Sequence, residues 1–277
     1  MRCLLLGALG VAMIHGPSRA LAGGPRIRVL WSKVVNPAVS EALASTTEIS
    51  IEGLTPEQVD RCLSRGVAYV NRRRAAQSFG KVYWTEKEHE TLNGCVPGDC
   101  RYDFSEPRVR RLDRQKTLAG RKRVYYELLA ESALRADKSK KRSRIRVKDL
   151  RHEPCARDPE LAALLEKPLG ADDAVVWRKM YKERLFPTVL IMQSGHWTRG
   201  SRWCRARTML FADHYYRDHV ELYQLWPTGP NALKLRFHSR SRVPMNTVWR
   251  RTFRGVVEKR MRDSETKRLL RTLRRCR

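Results

Sequence analysis

Residues 219–239 read HVELYQLWPTGPNALKLRFHS, two strand-length segments joined by a Pro-Thr-Gly-Pro-Asn break. In the second segment Leu233, Leu235 and Phe237 alternate with Lys234, Arg236 and His238, the period-two pattern of a strand that buries one face. A slip of one residue would turn every apolar side chain to the other side, so the pattern fixes which face is which. The apolar row must meet the core, and the basic row must meet solvent or a second layer. Ala174–Met180, Pro187–Trp197 and Arg205–His214 are segments of the same kind upstream, and His219–Trp226 and Ala232–Ser239 complete the set. All are aromatic or β-branched and are separated by Gly, Pro or Asp, which predicts an antiparallel meander in the last hundred residues.

Downstream of Pro244, residues Met245, Val248, Trp249, Thr252, Phe253, Val256, Val257 and Met261 recur at three- and four-residue spacing. That spacing predicts a long amphipathic helix whose stripe lies on the preceding sheet. Upstream, Thr47–Ile51 (TEISI) alternates as a half-buried strand, and a helix start follows at once. Thr55 caps it, Pro56 suits its first position, and Val59, Cys62, Leu63 and Val67 share a face. Lys81–Thr85 (KVYWT) is a further strand candidate, and Thr85 with Glu88 forms a capping box for a short helix ending at Gly94. Val124, Leu128, Ala130 and Leu134 suit a helix, as does Pro159–Glu166. The fold class expected is α+β: a curved antiparallel sheet, a long C-terminal helix, and a helical, disulfide-containing insertion at about residues 85–172.

The N-terminus reads as an export signal. Arg2 is followed by an apolar run from Cys3 to Ile14 and by Ala20-Leu21-Ala22, a small-x-small cleavage site before Gly23. The run falls short of the roughly 20 residues a permanent membrane anchor needs. The expectation is a single domain over residues 23–277 in the periplasm or outside the cell. Of seven cysteines, Cys62, Cys95, Cys100, Cys155, Cys204 and Cys276 would remain, an even number that favours disulfides in an oxidising compartment. Pro97-Gly98 fits the centre of a type II turn, so Cys95 and Cys100 are expected to pair. Half of a zinc site is the competing reading of that segment, but no second close Cys or His pair accompanies it. Spacing leaves the pairing of the other four open.

A formal charge of +28 would concentrate polyanions near the surface. The excess of Arg over Lys is equally what a GC-rich genome produces. The densest basic run, Lys138–Lys148 (KSKKRSRIRVK), lacks the aromatics that base stacking needs and reads as a solvated loop.

A strand and helix near the start, an antiparallel sheet at the end and a terminal helix laid across it resemble the helix-grip arrangement of START-like lipid-transfer and polyketide-cyclase proteins. The resemblance covers roughly Glu48–Val67 and Ala174–Arg275. The segments GCVPGDCRYDF, VVWRKMYKERLFPTVLIM and FADHYYRDHVELYQLW, with the following SRSR, are similar to an uncharacterised family of exported bacterial proteins. That likeness implies export and a fold but carries no catalytic residue across.

No Ser-centred nucleophile elbow, Gly-rich phosphate loop or His-Glu-x-x-His helix is present, which weighs against an enzyme. No cofactor is implied. His196, His214, His219 and His238 lie on neighbouring strands, but convergence on a metal needs them on one face, and strands alternate faces. Satisfied or solvated histidines are the simpler reading, and no metal is assigned. Glu221 should be held in a structural ion pair by Arg240, Arg242 or Arg254. If sheet and helix enclose a cavity, His214, Tyr216, Glu221, Arg240, Arg242, Trp249 and Phe253 are the candidate ligand-binding residues, for a lipid-like molecule with an anionic head. The alternative is a basic surface module with a solid core that holds an anionic membrane surface, an envelope polyanion or, with less support, nucleic acid.

Overall fold

The computed structural model describes residues 24–35, 42–80, 82, 102–135, 145–180, 188–214, 216–242 and 254–276. The export signal, the Lys81–Thr85 strand, the Thr85–Gly94 helix, Cys95, Cys100, most of the 138–148 run, Trp249 and Phe253 lie outside the described residues.

One antiparallel sheet runs through the chain. Its strands are β1 (Arg26–Val35), β2 (Ala42–Glu52), β3 (Ala68–Tyr69), β4 (Ala174–Met180), β5 (Thr188–Arg199), β6 (Arg202–Ala212), β7 (Asp218–Gly229) and β8 (Ala232–Arg242). The order is β1-β2-β8-β7-β6-β5-β4-β3: the meander from β3 to β8 closes back on β2, and β1 adds an outer edge. Helices are α1 (Pro56–Ser64), α2 (Ala75–Ser78), α3 (Glu106–Asp113), α4 (Leu118–Arg135), α5 (Pro159–Glu166) and α6 (Arg254–Arg274). The molecule is thus mixed α and β, with a C-terminal helix and a helical segment between β3 and β4.

The strands match their sequence patterns to within a few residues, with two instructive differences. β7 continues through Pro227 to Gly229, and the ladder shifts register between those residues because proline has no N–H to give it. β1 was not expected, since RIRVLWSKVV keeps no single alternation. Its register shifts between Val29 and Trp31, so the apolar residues on either side of the bulge fall out of phase.

Odd-numbered residues of β2, β7 and β8 share one face. Ile49, Ile51, Leu225, Leu233, Leu235 and Phe237 pack there with Val59 and Leu63 of α1 and Leu269 and Leu273 of α6. Thr55 and Gln58 form the capping box that starts α1. The opposite face is also covered. Ala206, Val220 and Leu222 meet Ile145, Leu150 and Leu161, and further along Val175, Val189 and Ile191 meet Leu128 and Leu129 of α4. The basic row of β8 therefore lies under a second helical layer toward its C-terminal end: His238 and Arg240 are buried, while Lys234 and Arg236 stay half-buried.

Each layer is stapled once among the described residues. Cys62–Cys276 joins α1 to the end of α6 with Cα atoms 5.8 Å apart. Cys155–Cys204 joins the short helical turn at 154–157 to β6 with Cα atoms 6.4 Å apart. Both separations lie in the range ordinary disulfides span.

Candidate functional site

On the face beneath α6 the side chains change character partway along the strands. One end is the aliphatic cluster of Ile49, Leu225 and Leu235; beyond Tyr223 and Phe237 the same face carries Glu221, His219, Ser239 and Ser241. Arg207 and Ser239 stand opposite Glu221 on the neighbouring strands. Glu221 is fully buried and surrounded by cations. Its Oε1 lies 2.6 Å from Arg178 Nη2 and 3.0 Å from Arg268 Nη2, and its Oε2 lies 3.6 Å from Arg207 Nη1. Tyr223 donates its hydroxyl to Oε2 at 3.1 Å. Burial alone would raise the Glu221 pKa, but Arg178 and Arg268 hold it well below the usual carboxylate range. It is a carboxylate at any ordinary pH.

His219 completes the cluster. Its Nδ1 is 2.8 Å from Ser241 Oγ and its Nε2 is 3.3 Å from Arg178 Nη2. Burial lowers its pKa, and Arg178 adds to that against the pull of Glu221 and Glu265. A neutral ring fits this network: Nδ1–H donates to Ser241 and Nε2 accepts from Arg178, a tautomer assigned from the partners. From above, Glu265 of α6 accepts from Ser45 and Ser239, each at 3.0 Å, and Thr266 meets Thr47 at 2.9 Å. Among the described side chains, the middle of α6 rests on hydroxyls and its last turns rest on aliphatic side chains.

Beside the cluster lies an apolar patch of Val176, Leu190, Met192, Ala212 and Tyr216, flanked by Met180 and Met209. Tyr216 packs edge-on against His219 with ring centres 5.7 Å apart.

Of the candidate ligand-binding residues, Tyr216 and Glu221 share this region. Arg240 and Arg242 do not. They are even-numbered, on the opposite face, where Arg240 pairs with Asp149 at 3.5 Å and Arg242 with Asp218 at 3.6 Å. The expected pairing of Glu221 with Arg240 or Arg242 is therefore replaced by Arg178, Arg207 and Arg268; the side chain of Arg254 lies outside the described residues. His214 belongs to the second layer, its ring 4.8 Å from that of Tyr102 and its Nδ1 3.1 Å from Asp213. Asp213 in turn accepts from the Tyr125 hydroxyl at 2.6 Å and from the Val189 N–H at 2.7 Å.

The histidines do not converge. His196 is exposed, and His219 and His238 occupy opposite faces. His238 instead lies 3.3 Å from the buried Glu153, whose pKa burial would raise but His238 and Gln224 lower. Cys155, Asp158 and Cys204 cluster closely enough to hold a metal, but the two sulfurs are bonded to each other and Asp158 accepts from Trp197 at 2.9 Å and Arg202 at 3.0 Å. Oxidised sulfur and an engaged carboxylate do not fit a metal. Arg178, Arg207 and Arg268 were missed in the sequence, although Arg178 follows the apolar run Val175-Val176-Trp177 within a strand-length segment.

No family model matches this chain, and no curated protein matches it. Among solved structures, a START superfamily protein from Mycobacterium smegmatis is similar at 13% identity with a TM-score of 0.26. The match covers 36% of this chain and spans 60% of that protein's own length. At that similarity the fold description rests on this chain's own strand order and layers. Among the described residues no helix is long and apolar enough to cross a membrane.

Proposed function

We propose that the protein is an exported binding protein that holds a lipid-like ligand between the sheet and α6, in a START-like, helix-grip arrangement. The observation that carries this reading is the juxtaposition, on the α6-facing side, of the methionine-rich patch around Met192 with the buried charged cluster around Glu221. Methionine adapts its shape to varied apolar partners, and a few placed polar groups beside such a surface orient a ligand. Disulfides on both faces favour an oxidising compartment and hence export.

Native mass spectrometry of protein recovered after export, followed by denaturing extraction, tests the reading. A stoichiometric apolar molecule that leaves on denaturation is expected. An empty protein that also fails to take up long-chain lipids would overturn it.

A basic surface module is the second reading, and one observation favours it. On the β1 edge, Trp31 lies 5.2 Å from Lys33 and 5.5 Å from Arg236 of β8, and further into the sheet Trp226 of β7 lies 5.9 Å from Lys234. Cations beside half-buried indoles suit a stacked polyanion. Glu48 partly neutralises the row through Lys234 and Arg236. Binding of a single-stranded oligonucleotide or of dextran sulfate that falls steeply with salt and is lost in Trp31→Ala would establish this reading.

A further inference from the structure

We propose that Arg178, with Arg207 and Arg268 around it, is the receptor for the carboxylate head of a long-chain, fatty-acid-like ligand. The proposal deepens the lipid-binding reading and rests on it.

The first argument is charge. Three guanidiniums converge on Glu221, and Glu265 is the second carboxylate of the group. Arg268 is about one-third exposed, so solvent screens it, and the buried charges of Arg178 and Arg207 are matched in number by Glu221 and Glu265. The two buried guanidiniums nonetheless touch one and the same carboxylate, Glu221, while Glu265 is bonded to Ser45 and Ser239. A further acceptor on Arg178 is therefore best an anion of low charge, and a carboxylate is one.

The second argument is hydrogen bonding. Arg178 is 6% exposed and Arg207 1%. Even so, Nε and Nη1 of Arg178 and Nε of Arg207 are buried with no hydrogen-bond partner among the described residues. Arg178 spends only Nη2, on Glu221 and His219; Arg207 spends Nη2 on the Leu63 carbonyl at 2.9 Å and Nη1 on Glu221. An unmet donor on a buried cation is costly, and an acceptor oxygen from a ligand removes that cost. The third argument is place. Arg178 follows Val176 on β4, and both its cross-strand partner Leu190 and Val176 belong to the methionine-rich patch. A chain lying on that patch has its end beside Arg178.

The test compares palmitic acid with hexadecanol, which keeps the chain and lacks the charge, by native mass spectrometric titration of the disulfide-bonded protein. Palmitic acid is expected to bind at least about tenfold more tightly, because a carboxylate makes charge-assisted hydrogen bonds to the unmet Arg178 donors and a hydroxyl makes weaker neutral-acceptor ones. Arg178→Met is expected to abolish that preference while still binding both; near-UV circular dichroism confirms its fold, and the wild-type comparison stands without it. Equal binding of acid and alcohol by the wild-type protein would overturn the carboxylate receptor, with water meeting the free donors, and leave the lipid-binding reading intact. Binding of neither would overturn both. A preference that survives Arg178→Met would overturn the role of Arg178.

Discussion

Glu221 is fully buried with three arginines around it, and that geometry decides what its loss would do. Glu221→Gln keeps the shape and removes the only carboxylate that Arg178 touches among the described residues, leaving several cations to repel one another. A loss of about 3–5 kcal/mol in urea unfolding is expected, the usual result of breaking a buried pair from one side. The same cluster sets a pH dependence. His219 has its pKa lowered by burial, so below the unfolded value of about 6.5 the unfolded chain binds a proton that the native ring refuses, and stability falls. Glu221 is depressed in the native state, so its contribution is present above the unfolded carboxylate value of about 4.3 and is lost as pH falls through the native value. Unfolding free energy measured against pH should therefore decline in two stages on acidification. The difference between wild type and His219→Gln should report the first, and an identical pH profile for the two would show that His219 does not contribute.

The C-terminal helix shows how much an element depends on its tether. Among its described side chains, α6 meets the sheet through Glu265 and Thr266, which bond to strand hydroxyls, and through Leu269, Leu270 and Leu273, next to the Cys62–Cys276 bond. Cys276→Ser opens a loop spanning 214 residues of sequence and should cost about 2–5 kcal/mol. Hydrogen exchange should show protection lost from α6 before β7, because a terminal helix packed on one side of the sheet opens locally more readily than a central strand once the staple is gone. Equal protection in both elements would show that packing alone holds the helix. The elements themselves were largely legible: alternation in ALKLRFHS and the Thr55-Pro56 start of α1 need nothing beyond local chemistry. β1 was not, since a bulge erases the alternation that would have announced it.

At the level of the whole molecule the sheet is a shared wall between two helical layers, and neither layer has a core without it. Leu235 packs against α1 and α6, and Leu161 packs on the other face against Leu222. Leu235→Ala and Leu161→Ala should each cost about 2–5 kcal/mol. Both should lower one and the same cooperative thermal transition. Two separate transitions, each sensitive to one variant, would show that the layers fold independently. Arg178, Arg205, Arg207, Arg240 and Arg242 are engaged with carboxylates inside the fold, so the net charge of +28, from which those carboxylates are already subtracted, is carried by the other cations.

By itself the sequence determined the mixed fold, the meander, the identity of most strands and the row of apolar side chains that β8 turns to the core, because period and turn chemistry are local. It also put Glu221 on the face opposite Val220 and Leu222 and expected it to be paired. Only the tertiary structure decided the partners. Arg178 lies 43 positions before Glu221 and Arg268 lies 47 after it, and no periodicity links residues brought together by strand order and by the path of a terminal helix. Parity within one strand is written in the sequence; which strand lies beside which, and so which charges must neutralise one another, is settled by the packing of the whole chain.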